Sequence, residues 1–447
     1  MLWRMTTPHS PTSPSSSVPS GSTPSSAQPA SAPSPADLVV RNVRPWGGAS
    51  VDVHIAAGLI TAVTPTATSD HCTSPAEAPR APGPASPAVT SASPTVVDGR
   101  SLLALPGIVN AHAHVDKTWW GKEWEGYGGV MTTPGRIAHE RARRDALGIP
   151  DPDSVRGLLA QMVRCGTTAI RTHVDVDPGV GLRGVEVVRE VFAEYEGALG
   201  TQIVAFPQDG VLRRPGVLDL LEQAVAAGAD HIGGIDPATI DRDPVGQIDA
   251  ILGLAAHTGA GVDIHLHDPR ELGAFQIELL LDGIEHRDLL GRVNLAHGFA
   301  VAQVEPARRA GLLRRMADLG VSMTTVAPLR HPEQLPLAEL RAAGVRLGFG
   351  TDGVRDLWAP FGTGDTLGIA WQFARASHLP RDADLLDIVR VATADAGWAV
   401  GREVHDLVVG APADLVLLDA QNPMDALVRT PERSLVVAGG RVLHDSR

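Results

Sequence analysis

Between residues 103 and 400, short apolar runs alternate with amphipathic stretches, and this alternation constrains the fold more than any other feature of the chain. The runs are LLALPGIVNAHAH, TAIRTHVDV, TQIVAFPQ, HIGGIDP, GVDIHLHD, RVNLAHG, GVSMTTVA and VRLGFGTD. Continuous apolar runs are the pattern of parallel strands covered by helices, and stretches such as VLDLLEQAVAAGA and PVGQIDAILGLAAHTG supply the helical period between them. Eight such units in about 300 residues predict an α/β fold, a (β/α)8 TIM-like barrel. The competing solution, an open doubly wound sheet, calls for a Gly-rich phosphate turn after the first strand, and this sequence has none there.

The flanks read differently. DLVVRNVRPWGGASVDVHIAAGLITAV before the barrel, and GAPADLVLLDA and SLVVAGGRVLHD after it, are short β-branched runs punctuated by Gly and Asn, the signature of small antiparallel strands. Residues 36–102 and 402–447 are therefore predicted to form one small β-sandwich from both chain ends, with 103–401 as the barrel. Residues 1–35 are mostly Ser, Thr and Pro, too polar to offset chain entropy, and are expected to be a disordered extension. A low-complexity insertion is expected over about 65–95.

Charge and composition narrow the partners. A net charge of -13 argues against nucleic acid, whose recognition leans on clustered Lys and Arg. No apolar run approaches the roughly 18 residues that a membrane span requires. Cys72 and Cys165 lie far apart and suggest no disulfide framework, and MLWRMTTPHS lacks the apolar core of a secretory signal, so a cytoplasmic protein is expected. A small, neutral or cationic ligand fits best, and a homo-oligomer is left open.

Polar side chains gather at the C-terminal ends of the predicted strands, where barrel enzymes build their sites. His112 and His114 end the first strand, His173 the second, Gln208 the third, Asp236 the fourth, His265 and Asp268 the fifth, His297 the sixth and Asp352 the eighth. One histidine in an apolar strand is ordinarily a satisfied core residue; a set sharing one position along the strands is not explained that way. Two residues apart on a strand, His112 and His114 project from the same face and can chelate one ion. Joined by His265 and Asp352, they make a ligand set suited to Zn or Fe(II) and too nitrogen-rich for Mg or Ca. Asp352 also stands in a T-D-G sequence, which a simple turn would explain. His267 alternates with His265 and is predicted to point away from the metal, into the outer layer.

PGIVNAHAHVDK, THVDV, QIVAFPQDG and GTDGVRDLWAPFGTG occur in that order, and GAPADLVLLD follows. Together they resemble the strand signatures of the amidohydrolase superfamily, in particular its cytosine deaminase-like branch, and are also similar to those of N-isopropylammelide amidohydrolase. The resemblance spans about residues 37–64 and 97–445. It implies one divalent metal ion, Zn or Fe(II), held by His112, His114, His265 and Asp352, with Asp352 also taking a proton from the water that the ion activates. A bimetallic site in this superfamily usually needs a carboxylated lysine ending strand 4; the only lysines here, Lys117 and Lys122, follow strand 1.

By the same resemblance His297 orients the attacked group, Gln208 bonds the amide edge of a heterocycle and Trp358 lies near the pocket. Asp268 stands where the family carries a proton-shuttling glutamate, one methylene longer. His173 would line the pocket behind a metal ligand, and Lys117 would either meet a substrate oxygen or pair with Asp116 or Asp175. Trp119, Trp120 and Trp124 would form either a stacking wall or a packed loop. Gly353 departs from cytosine deaminase itself, which has an acidic residue there. The implied activity is hydrolytic removal of an exocyclic amino group from a small N-heterocycle. The alternatives are release of an alkylamine from an aminotriazine, opening of a cyclic amide, or a non-catalytic barrel relative. The H-x-E with P-C-x-x-C signature of nucleic-acid-editing deaminases is absent.

Overall fold

The computed structural model describes residues 37–66, 93–329 and 333–447. The Ser/Pro-rich extension over 1–35 and residues 67–92 of the predicted insertion lie outside the described residues.

The barrel strands are β1 (Ile108–His114), β2 (Thr167–Asp175), β3 (Gly200–Phe206), β4 (His231–Ile235), β5 (Gly261–Leu266), β6 (Val293–His297), β7 (Ser322–Thr325), β8 (Leu347–Phe349) and the two-residue β9 (Asp352–Gly353). Every neighbouring pair is parallel, in the order β8-β7-β6-β5-β4-β3-β2-β1-β9. β8 and β9 are pieces of one stretch interrupted at Gly350 and Thr351, so the path returns to its starting strand and the predicted (β/α)8 barrel closes. At the interruption a Cβ on Gly350 would lie 2.3 Å from the His112 carbonyl oxygen. Only glycine lets the last strand pass that close to the first metal-ligand candidate.

Helices cover the strands with one apolar stripe each. Pro152–Arg164, for example, starts on an Asp151 side-chain cap and buries Val155, Leu158, Leu159, Met162 and Val163. Truncating Leu158 to Ala in that stripe is expected to cost about 2–5 kcal/mol.

LLALPGIVNAHAH, predicted as one strand, is two. Leu103–Pro106 belongs to the terminal β layer and only Ile108–His114 to the barrel. The break falls at Gly107, where a Cβ would sit 1.9 Å from the Thr168 hydroxyl and where the backbone N–H turns to Asp414.

The terminal layer joins both ends of the described chain. Leu38–Pro45 pairs along its first half with Val51–Ala56 and Thr95–Asp98, and along its second half with Leu103–Pro106, which continues into Leu415–Leu418, Arg433–Ala438 and Arg441–Asp445. The strand changes sheets at a bulge between Val40 and Val43, with Asn42 at φ 52°, a conformation that Asn tolerates better than most residues. Val40, Val43, Val53, Ile55, Leu415, Leu417, Leu435 and Val437 fill the core of this sandwich.

Candidate metal centre and pocket

The strand ends bring together the four side chains singled out as metal ligands. His114 Nε2 lies 3.3 Å from His265 Nε2. The Asp352 Oδ1 atom lies 3.7 Å from His112 Nε2 and 3.4 Å from His114 Nε2. Donor atoms of His112, His114, His173 and His265 fall within 4.8 Å of one another, as do those of His112, His297 and Asp352. His297 and Asp352 have φ of 68° and 60°. A non-glycine residue in the left-handed region is strained, and strain of this kind gathers where a side chain must be aimed for function.

The protonation states suit a cation. Burial first, then the neighbouring imidazoles, hold His265 well below the usual histidine range, and His114 and His297 are lowered in the same direction. Burial pushes the Asp352 carboxyl up, but its contact with His112 and the surrounding imidazoles outweigh this and keep it ionised. Both ring nitrogens of His112 and of His297 are buried with no hydrogen-bond partner among the described residues, as are Nδ1 of His114 and of His265. Orphaned buried nitrogens in this number are costly in a protein interior. Neutral imidazoles converging on a carboxylate fit a divalent ion, which takes them as ligands without a proton to displace.

Behind this cluster His173 sits 4.3 Å from His112, ring to ring, with its Nε2 3.3 Å from Asp263 Oδ1. Asp263 is fully buried and accepts hydrogen bonds from Arg171 (3.0 Å) and Asn294 (2.8 Å). Burial lowers His173 to about 4. It is thus oriented from behind by a fixed anion, as residues that support metal ligands commonly are.

Beside the imidazoles lies a second, charged cluster. Lys117 pairs with Asp175 at 2.8 Å, donates to Gln208 Oε1 at 2.6 Å and lies 3.8 Å from Glu140. Gln208 Nε2 donates to Glu140 and, at 3.4 Å, to Asp175, while the Trp358 indole N–H also donates to Glu140. Burial disfavours the Lys117 ammonium, but Asp175, Glu140 and Asp116 outweigh it and raise its pKa. Burial and crowding by like charge push Asp116 up to about 7 and Asp175 well above the usual carboxyl range. Phe206 joins the two clusters: its ring stacks on His265 at 4.2 Å and lies 5.6 Å from Lys117 Nζ.

Lys117, Gln208 and Trp358 are therefore brought together, and Lys117 pairs with Asp175. Asp268 is buried just past β5, with Thr239 donating to one carboxylate oxygen and Gln276 to the other at 3.0 Å. Trp119 is fully buried under Arg355, 4.2 Å from the guanidinium, whereas Trp124 is exposed, so these tryptophans pack a loop rather than form a continuous wall. At Gly353 a Cβ would lie 1.7 Å from an Asp356 carboxylate oxygen. The space for a side chain at 353 is thus taken by an acidic group three residues further on.

His267 is a correction. β5 ends at Leu266, so strand alternation no longer applies; His267 stacks on His297 at 4.3 Å, with Nδ1 2.9 Å from Asp236. It belongs to the mouth of the barrel and not to its outer layer. Sequence reasoning also missed Glu140 and Phe206. Phe206 ends a strand whose polar Gln208 drew attention instead, and Glu140 lies in a charged helix that reads as solvent-facing.

A parallel barrel with a histidine-carboxylate cluster at its strand ends defines the class of barrel hydrolases that work through a strand-end metal. The chain belongs to the amidohydrolase family, whose profile matches residues 95–444. It is similar to an N-isopropylammelide isopropylaminohydrolase from Burkholderia multivorans (36% identity, TM-score 0.81, covering 91% of this chain and 97% of the other). It is also similar to a 5-methylcytosine deaminase from Klebsiella pneumoniae crystallised with phosphonocytosine (26% identity, TM-score 0.74, covering 92% and 98%). A pterin deaminase from Rhizobium rhizogenes is 26% identical, covering 88% of each chain. Among the described residues no helix is long and apolar enough to cross a membrane.

Proposed function

We propose that this enzyme hydrolyses an exocyclic C–N bond on a small six-membered N-heterocycle, in the first instance removing an amino group as ammonia. The observation that carries this reading is Phe206, whose ring touches the imidazole cluster on one side and approaches Lys117 on the other. Phe206 is itself fully buried and spaces the two clusters so closely that one small planar ring held at the mouth of the barrel can meet both.

His112, His114, His265 and Asp352 would hold one divalent ion, Zn or Fe(II), which supplies Lewis-acid polarisation and activation of water. The chain's own residues do the rest. Lys117 donates to a substrate carbonyl oxygen. The N–H groups of Gln208 are engaged by carboxylates and its Oε1 by Lys117, so Gln208 offers a substrate only a remaining lone pair on Oε1. A donor beside an acceptor reads an O=C–N–H edge, which orients the ring and turns its aminated carbon towards the imidazoles. His297, kept neutral by burial and by His267, hydrogen-bonds the attacked group. Asp268, held by Thr239 and Gln276, would carry one proton of the attacking water to the ring nitrogen. Asp352 would take up the second water proton, which ends on the departing amine as ammonia leaves, while His173 backs the imidazoles and Trp358 lines the pocket.

A second reading, release of an alkylamine from an aminotriazine, is favoured by the 36% identity over almost the whole chain to the Burkholderia isopropylaminohydrolase. Incubating the Zn- and Fe(II)-loaded protein with aminated pyrimidines, pterins and triazines, and assaying both ammonia and alkylamine, separates the two. Ammonia supports the first reading and alkylamine the second; a ring-opened acid, or no product from any of them, contradicts both.

A further inference from the structure

We propose that Glu140, on a helix outside the barrel, is a positioning residue that sets the substrate-facing pose of Gln208 and Trp358. The inference rests on the function proposed above. Helix α1 (Thr133–Leu147) lies in the connection from β1 to β2, starts on a Thr132 side-chain cap and stops at Gly148, whose φ is 68°. Its buried residues are Ile137, Glu140 and Arg144, one face at helical spacing on which two of three side chains carry charge. A helix that packs only for stability buries an apolar stripe. This one buries charges, and each goes to the barrel mouth.

Arg144 grips Asp177 through two hydrogen bonds of 2.5 and 2.9 Å, and Arg141 reaches Asp209 at 2.9 Å. These pairs fasten α1 to the loops after β2 and β3. Glu140 then projects inward, and a single oxygen, Oε2, accepts from both Gln208 Nε2 and Trp358 Nε1. A third buried carboxylate beside Asp175 and Asp116, with Lys117 as the ammonium among them, is unfavourable in itself, because each ion loses its hydration. What Glu140 supplies in return is direction. It commits the Gln208 amide nitrogen away from the ligand and the indole N–H to the protein, leaving the amide oxygen and the ring surface for the substrate.

The test compares variants by steady-state kinetics, using cytosine or N-isopropylammelide, whichever the wild type hydrolyses faster. Glu140→Ala leaves the half-buried Trp358 indole N–H without its acceptor and the Gln208 amide with only the 3.4 Å contact to Asp175, and KM should rise about tenfold or more, with kcat changed much less. Glu140→Gln keeps one oxygen able to accept both N–H groups and should stay within about threefold of wild-type KM. Arg143→Ala removes a half-exposed pair with Glu125 from the same helix and leaves Arg141, Arg144 and Glu140 in place, so KM should stay near wild type. If Glu140→Ala does not fold, Glu140→Met, of similar length and without an acceptor, takes its place with the same expectation. Unchanged KM in the variant lacking the acceptor, or an equal rise in Arg143→Ala, overturns the proposal. A wild type that turns over neither compound nor any other N-heterocycle overturns the functional reading and this inference with it; an active wild type with an indifferent Glu140 overturns the inference alone.

Discussion

The two clusters at the barrel mouth are built on opposite principles. In the imidazole cluster, burial drives His114, His265 and His297 to their neutral forms, and several ring nitrogens, both of His112 included, have no hydrogen-bond partner among the described residues. Around Lys117 every strong donor meets a carboxylate or an amide oxygen. The first arrangement fits a cation, and the second ties its own members together. Removing a member should therefore act on ligand binding in the first cluster and on folding and substrate pose in the second.

The sharpest break should come in the first cluster. Asp352→Ala and His297→Ala should both cost about a thousandfold or more in kcat/KM, yet only Asp352→Ala should lose metal. Activity assays paired with metal analysis check this, and loss of metal from both would make His297 a ligand. The next largest effect belongs to the second cluster. Lys117→Ala leaves Asp175 and Glu140 facing each other in the interior, and a loss of about 3–5 kcal/mol in unfolding free energy is expected, measured by denaturant titration. A near-neutral result would mean that Asp175, whose pKa burial raises, is already protonated.

A smaller effect tests the link behind the imidazoles. Asp263→Asn keeps a hydrogen-bonding side chain against His173 and Arg171 but removes the anion, and metal affinity should fall about 10–100-fold, read by competition with a chelator. The smallest is a pH effect. Burial, partly offset by Lys117, raises Asp356 from 3.8 to about 6. A carboxyl whose folded pKa is raised favours the fold in its protonated form. That contribution is complete below the unfolded value and is lost as pH rises through about 6, so Asp356→Asn should flatten the fall in Tm between pH 4 and pH 7.

The barrel was legible because parallel strands buried on both faces read as apolar runs, and because His112, His114, His265, His297 and Asp352 interrupt them at their C-terminal ends. What escaped depended on where strands stop. Gly107 ends the terminal layer one residue before β1 begins, and both flanks of that glycine are apolar, so no change of pattern marks the boundary. His267 lies one residue past β5, where the alternation rule has lapsed. Glu140 was hidden for a different reason. HERARRDAL is charged enough to read as a solvent face, and only the tertiary docking of α1 turns two of those charges inward.

The central claim, that the imidazole cluster holds one divalent ion, is tested most directly by metal content per chain, measured by plasma mass spectrometry on wild type, His265→Ala and His267→Ala. The account predicts close to one Zn or Fe(II) in wild type and in His267→Ala, and none in His265→Ala. Metal retained by His265→Ala and lost from His267→Ala would contradict it.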